Sequence, residues 1–131
     1  MRYITILFVL LTIASGADRD LAGRYAGEWK SNSAGGGGAI RLSLEPAADG
    51  AWKLDVVFTY AGEEVKTITR QVKVDQSKLD ASYDFDLMGN TLRSKITGEL
   101  KGAAFEGKYQ TTSVDGATGV DEGTWSAARG K

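Results

Sequence analysis

Few side chains in this sequence of 131 residues could do chemistry. It contains neither cysteine nor histidine. This excludes thiol nucleophiles, disulfides and thiolate zinc sites, and it removes the commonest general base. Three aspartates, Asp80, Asp84 and Asp86, share one face of a predicted strand and could attract calcium. No segment has ligands at the spacing of a calcium loop, so we expect no metal and no cofactor.

These aspartates have a simpler interpretation as partners in ion pairs. Arg93 and Lys95 follow on the next predicted strand, where they would lie across the ladder from the aspartates. Exposed pairs of this kind contribute about 0 to 1 kcal/mol each.

Catalysis needs acids, bases or nucleophiles positioned in a pocket. The apolar strand faces described below offer tyrosine hydroxyls but no carboxylate, lysine or histidine. An acidic pair at the rim, Asp121 and Glu122 at the start of the last predicted strand, is interpreted as ordinary loop chemistry. We therefore expect that the protein is not an enzyme.

Turn-forming residues divide the chain at regular intervals, at 35–38, 49–50, 62, 75–77, 89–90, 101–102 and 115–116. The segments between them are rich in aromatic and β-branched residues and predict an antiparallel meander. The predicted strands span 24–32, 38–45, 51–60, 64–74, 78–87, 91–100, 103–112 and 120–128.

Side chains alternate between the two faces of a strand, and here the alternation separates apolar from charged residues. Every aromatic residue after position 17 falls in the apolar set. In the fourth predicted strand the apolar positions change face, which predicts a bulge. We therefore predict an all-β fold, an eight-stranded antiparallel up-and-down β-barrel, because closure of the meander leaves no exposed edge strand. With the apolar face inward the barrel is soluble; the less favoured alternative, with this face outward, is a small outer-membrane barrel.

The first 17 residues have the pattern of a secretory signal peptide. Arg2 precedes an apolar run over 4–13, and small residues follow at 14–17. The run is shorter than the roughly 20 residues that cross a bilayer. We expect residues 1–17 to be removed and 18–131 to form one domain outside the cytoplasm, in a periplasm or secreted. The net charge of −1 gives no reason to expect a nucleic-acid partner.

Gly27-Glu28-Trp29 on the first predicted strand resembles the Gly-x-Trp motif of the calycins, the superfamily of lipocalins, fatty-acid-binding proteins and avidins. Gly123-Thr124-Trp125 with a following basic residue, Arg129, resembles the last strand of small exported bacterial lipocalin-like proteins. The resemblance implies an eight-stranded barrel in which Trp29 and Arg129 form a structural pair. No helix fits after residue 128, no Arg-x-Tyr carboxylate clamp is present, and Ser31 stands where avidins have asparagine.

Two functions remain open from the sequence. The first is a non-enzymatic exported barrel that binds a small hydrophobic or aromatic ligand in its lumen. The second is an interaction module with a packed core, similar to a periplasmic protease inhibitor and without a small-molecule ligand. The sequence indicates no oligomeric state. For the first function, the predicted ligand-binding residues are Trp29, Trp52, Phe58, Tyr83, Phe85, Phe105, Tyr109 and Trp125.

Overall fold

A computed structural model describes residues 21–33 and 35–130, so the predicted leader lies outside the described residues. The described chain is all-β apart from one 3₁₀ turn, Ala48–Gly50. Within these ranges no helix is long and apolar enough to span a membrane. The strands are β1 (Gly23–Ser31), β2 (Gly37–Pro46), β3 (Trp52–Tyr60), β4 (Glu63–Lys66), β5 (Ile68–Asp75), β6 (Lys78–Leu87), β7 (Asn90–Lys101), β8 (Ala104–Ser113) and β9 (Gly119–Arg129).

The strands form one antiparallel meander that is curled into a half-barrel. The hydrogen-bonded order is β4-β3-β2-β1-β9-β8-β7-β6-β5, so the first and last strands pair with each other. The two ends of this order are β4 and β5, which are separated only by Thr67. The fourth predicted strand is therefore observed as two strands.

The change of face predicted in this segment is confirmed, because the register between β5 and β6 shifts between Thr69 and Gln71. Before the shift the inner side chain is the buried Val65, and after it Val72 and Val74 pack against the core. One extra residue in a strand reverses the facing of every residue that follows. The irregularity keeps apolar side chains on the inner face at both ends of the segment.

Two tight hairpins fix the register of their strands. Ala61-Gly62 and Met88-Gly89 each place two successive residues at positive φ, with angles of 53° and 83° in the first and 53° and 82° in the second. Two positive φ values match the twist of the flanking strands, and glycine adopts the second without a steric penalty.

The predicted sorting of apolar side chains to one face is confirmed: the buried core consists almost entirely of the predicted inner set. Tyr60, at the end of β3, is an exception with 38% exposure. Asp84 is the opposite exception, a predicted outer residue that is only 5% exposed.

One end of the half-barrel is filled by side chains. Its rings and aliphatic groups are at most 2% exposed. Leu21 precedes β1, and the others lie at the start of β1, β3, β6 and β8 and at the end of β2, positions that an antiparallel meander brings to the same end. They are Leu21, Tyr25, Leu44, Leu54, Leu79 and Phe105.

Candidate functional site

The other end of the half-barrel contains a cavity of about 380 Å³ that is partly open to solvent. Its walls come from the end of β1, the start of β2 and the end of β3, and from β6 to β9. Successive strands run in opposite directions, so their ends and starts alternate around the cavity. The side chains lining it are Trp29, Ser33, Ile40, Phe58, Tyr60, Tyr83, Phe85, Leu87, Met88, Asn90, Leu92, Ser94, Ile96, Tyr109, Thr111, Val120, Asp121 and Trp125.

Six of the eight side chains predicted to bind a ligand line this cavity, namely Trp29, Phe58, Tyr83, Phe85, Tyr109 and Trp125. The structure places the other two away from it. Phe105 is fully buried at the filled end, where its ring centroid lies 4.8 Å from that of Tyr25. Trp52 begins β3 opposite Pro46 and packs against the core from the same end.

The aromatic rings of the cavity wall contact one another. The Phe58 ring lies 5.0 Å from Phe85 and 6.2 Å from Trp29, both edge to face, and Trp29 meets Tyr109 edge to face at 5.9 Å. Tyr83 lies 6.4 Å from Phe58. Edge-to-face pairs add to the stabilisation from burial, so each ring helps to fix the next.

Backbone hydrogen bonds hold both indoles of the wall. Trp29 Nε1 donates to the carbonyl of Thr59 at 3.0 Å, and Trp125 Nε1 donates to that of Thr97 at 3.1 Å. The six-membered ring of Trp125 lies over Gly98, where a Cβ atom would overlap it. The cavity is therefore bounded by rings whose orientations are fixed without a ligand, as is usual for small-molecule sites.

A few hydroxyls interrupt the apolar wall. Ser94 and Thr111 share a hydrogen bond of 2.6 Å on neighbouring strands. Tyr83 lies opposite Ser94, and burial raises the pKa of Tyr83 to about 12, although a hydrogen bond with Ser94 opposes the shift. The Tyr83 hydroxyl therefore stays protonated at neutral pH.

At the rim of the cavity, the Asp121 carboxylate accepts hydrogen bonds from three hydroxyl groups. Tyr109 donates to its Oδ2 at 2.8 Å, while Ser31 and Ser33 donate to its Oδ1 at 2.6 and 3.2 Å. Burial, followed by the hydrogen bond and negative charge of Asp121, raises the pKa of Tyr109 well above its ordinary value. The Tyr109 hydroxyl therefore remains a donor to the carboxylate.

This arrangement corrects the interpretation of Asp121 as ordinary loop chemistry, because the residue is half-buried and accepts three hydrogen bonds. A signal for it was present in the sequence. Asp121 continues, by steps of two, the inner series of Gly123 and Trp125. Extending the inner face by one step would have placed a carboxylate at the cavity.

The partner that the resemblance implied for Arg129 is also corrected. Arg129 lies opposite Tyr25 in the β1–β9 ladder, whereas Trp29 lies opposite Trp125. Arg129 Nη2 donates to the Tyr25 hydroxyl at 2.7 Å, and the guanidinium carbon lies 5.3 Å from the centre of that ring. Arg129 thus supports the filled end and not the motif tryptophan.

On the outer face, the predicted pair of Asp84 with Arg93 is confirmed, but the expected exposure of Asp84 is wrong. Arg93 Nε and Nη2 donate to Asp84 at 2.7 and 3.0 Å, and Arg70 Nε donates at 2.8 Å. Arg70 reaches Asp84 because it lies at the register shift of β5. The hydrogen bond from Arg93 and, more weakly, that from Arg70 lower the pKa of Asp84 to about 2 against the opposing effect of burial.

Among residues 21–33 and 35–130, no group of three acidic side chains is placed to hold a metal ion. The cavity combines a fixed aromatic wall with a few polar groups, which suits binding of a small apolar molecule. Comparison with protein-family models, curated proteins and solved structures found no match.

Proposed function

We propose that the protein binds one small hydrophobic or aromatic molecule in its cavity and catalyses no reaction. The observation that carries the proposal is the cavity of about 380 Å³ with its aromatic wall. Pockets for small molecules are mostly apolar, with a few polar groups, and measure roughly 300–1,000 Å³.

The same volume weighs against the interaction module with a packed core. A module that acts through its outer surface has no need of an apolar cavity. Instead, the indoles of Trp29 and Trp125 are tied to backbone carbonyls at the wall. These bonds favour a cavity that is kept open for an occupant.

The proposal includes a calycin-like barrel of eight strands, in which β4 and β5 act as one bent strand. Hydroxyls of Thr67 and Thr69 donate to the carbonyls of Val56 and Leu54 in β3, at 2.7 and 2.6 Å, and support this view. It also includes export of residues 18–131 after removal of the leader, which would place the ligand outside the cytoplasm.

The uncharged fluorophore N-phenylnaphthylamine can test the binding proposal. We expect its emission to rise and shift to the blue on titration with the protein, saturating at one molecule per chain. Trp52 lies outside the cavity and Trp29 and Trp125 line it, so Trp52→Phe should leave the affinity for the fluorophore unchanged, whereas Trp29→Phe and Trp125→Phe should each weaken it.

Filling the cavity gives a second arm with a matched control. Leu92 and Leu100 are half-buried on the same face of β7, but only Leu92 lines the cavity. Leu92→Trp should weaken binding of the fluorophore by at least about tenfold, roughly 1.4 kcal/mol. Leu100→Trp should have little effect. Equal binding by both folded variants, or no binding by the wild type across a panel of apolar compounds, would contradict the proposal.

A further inference from the structure

The charge in the cavity is confined to one side chain. Among the described residues that line it, Asp121 has the only carboxylate, and none has a basic side chain. The others are apolar, hydroxyl or amide side chains and tyrosines. No ion pair within residues 21–33 and 35–130 includes Asp121. On the two strands that flank β9, Lys30 and Lys108 lie on the exposed outer face, opposite Thr124 and not opposite Asp121.

The three hydroxyls around Asp121 orient the carboxylate without neutralising it. Tyr109, Ser31 and Ser33 are neutral donors, whereas two carboxylate oxygens offer about four acceptor sites. At least one acceptor site is therefore left for another donor, and the negative charge has no cationic partner among the described residues.

Aromatic faces adjoin this carboxylate. Tyr109, which donates to Asp121, also meets the Trp29 ring, and Trp29 meets Phe58. Indole and phenyl faces attract cations, most strongly where water is excluded. A carboxylate next to such rings at the rim of an apolar cavity favours a ligand with an ammonium group at one end and an apolar body.

We infer that the ligand is an aromatic or aliphatic amine whose ammonium group binds Asp121 while its apolar body fills the cavity. This inference rests on the proposed function and specifies the ligand class. The ammonium donates to Asp121 beside the rings of Trp29 and Tyr109. The body then extends toward Phe58 and Phe85, which line the cavity from β3 and β6.

A series of naphthalene compounds of similar size tests this without any change in the protein. The cation naphthylmethylamine, the neutral naphthalenemethanol and the anion naphthoate share one ring system. Calorimetric titration of the wild-type protein at neutral pH should show the cation binding at least about tenfold more tightly than the neutral compound, and the anion most weakly.

Asp121→Asn removes the charge but retains an oxygen that can accept from Tyr109. In this variant the cation should no longer bind more tightly than the neutral compound, while the affinity of the neutral compound changes less than about threefold. Glu122→Gln is the matched control because Glu122 is the next residue in β9 and is exposed on the opposite face. It should keep the preference of the wild type.

The outcomes separate this inference from the proposed function. If the wild type binds all three compounds equally, or prefers the anion, the amine inference is overturned and cavity binding stands. A cation preference that survives in folded Asp121→Asn also overturns it. If neither these compounds nor N-phenylnaphthylamine binds, the proposed function itself fails.

Discussion

At the scale of single residues, an inner glycine permits the close approach of β7 and β8. A Cβ atom on Gly107 would overlap the carbonyl oxygen of Thr97 and crowd the backbone of Gly98. Gly107→Ala should therefore lower the free energy of unfolding by about 1 to 3 kcal/mol or more, since the strands would have to separate. Urea denaturation followed by tryptophan fluorescence measures this loss.

Gly119→Ala is the matched control for that substitution. A Cβ atom there meets nothing within 4 Å, and the residue does not have a positive φ. The free energy of unfolding of Gly119→Ala should stay within about 0.5 kcal/mol of the wild type. An equally small effect for Gly107→Ala would mean that the two strands do not approach as closely as described.

A second prediction at this scale concerns Asp84 and the dependence of folding stability on pH. Its pKa of about 2 lies below the ordinary value for aspartate. A lowered folded-state pKa stabilises the protein fully above about pH 4, and this contribution is lost as the pH falls toward 2. Asp84→Asn should cost about 1 to 3 kcal/mol at neutral pH, and the difference from the wild type should narrow between pH 4 and 2.

Asp80→Asn serves as the control for Asp84. Asp80 lies on the same face of β6, but it is exposed and has no ion pair among those the structure describes. Denaturant midpoints from pH 7 to 2 should follow the wild type in this variant. A difference between Asp84→Asn and wild type that stayed constant over the whole range would exclude a charge effect.

At the scale of elements, the weak point of the sheet lies between β3 and β5. The backbone ladder of β3 reaches β4 only through Val57 to Tyr60. Where this ladder ends, the hydroxyls of Thr67 and Thr69 donate to the carbonyls of Val56 and Leu54 in β3. Thr67→Val and Thr69→Val preserve shape but leave these carbonyls without their hydroxyl donors, so each should cost about 1 to 2 kcal/mol.

Amide hydrogen exchange would locate this effect. Protection should fall in β3 and β5 of the two variants and stay unchanged in β8. Thr124→Val, on the exposed face of β9, is the control and should leave stability within about 0.5 kcal/mol. Uniform loss of protection through the sheet would instead indicate that β3 and β5 are not specifically joined by these hydroxyls.

The faces of these strands could be predicted because a period of two assigns each side chain once the strand is located. The irregularity in the fourth segment was visible for the same reason, since Val65 and Val72 require opposite phases. The burial of Asp84 was not predictable. It depends on the exact position of the register shift, which brings Arg70 over the carboxylate, and apolar spacing leaves that position open.

At the scale of the whole molecule, alternation states which side chains face inward but not at which end of the sheet they gather. Phe105 and Tyr109 lie on the same face of β8, yet Phe105 belongs to the filled end and Tyr109 to the cavity. Both ends contain aromatic rings, so composition did not distinguish them. The difference arises from how the rings pack and from Leu21, which is buried at the filled end.

Binding at one end should stabilise the entire domain, because a ligand that binds only the folded state shifts unfolding by mass action. At a free concentration of one hundred times its Kd, a compound contributes about 2.7 kcal/mol. For a domain of this size that raises Tm by about 10 °C. Scanning calorimetry with N-phenylnaphthylamine should show this increase in wild type and Leu100→Trp and little of it in Leu92→Trp, whose cavity is filled. An equal rise in both variants would place the fluorophore outside the cavity, on a surface that both of them retain.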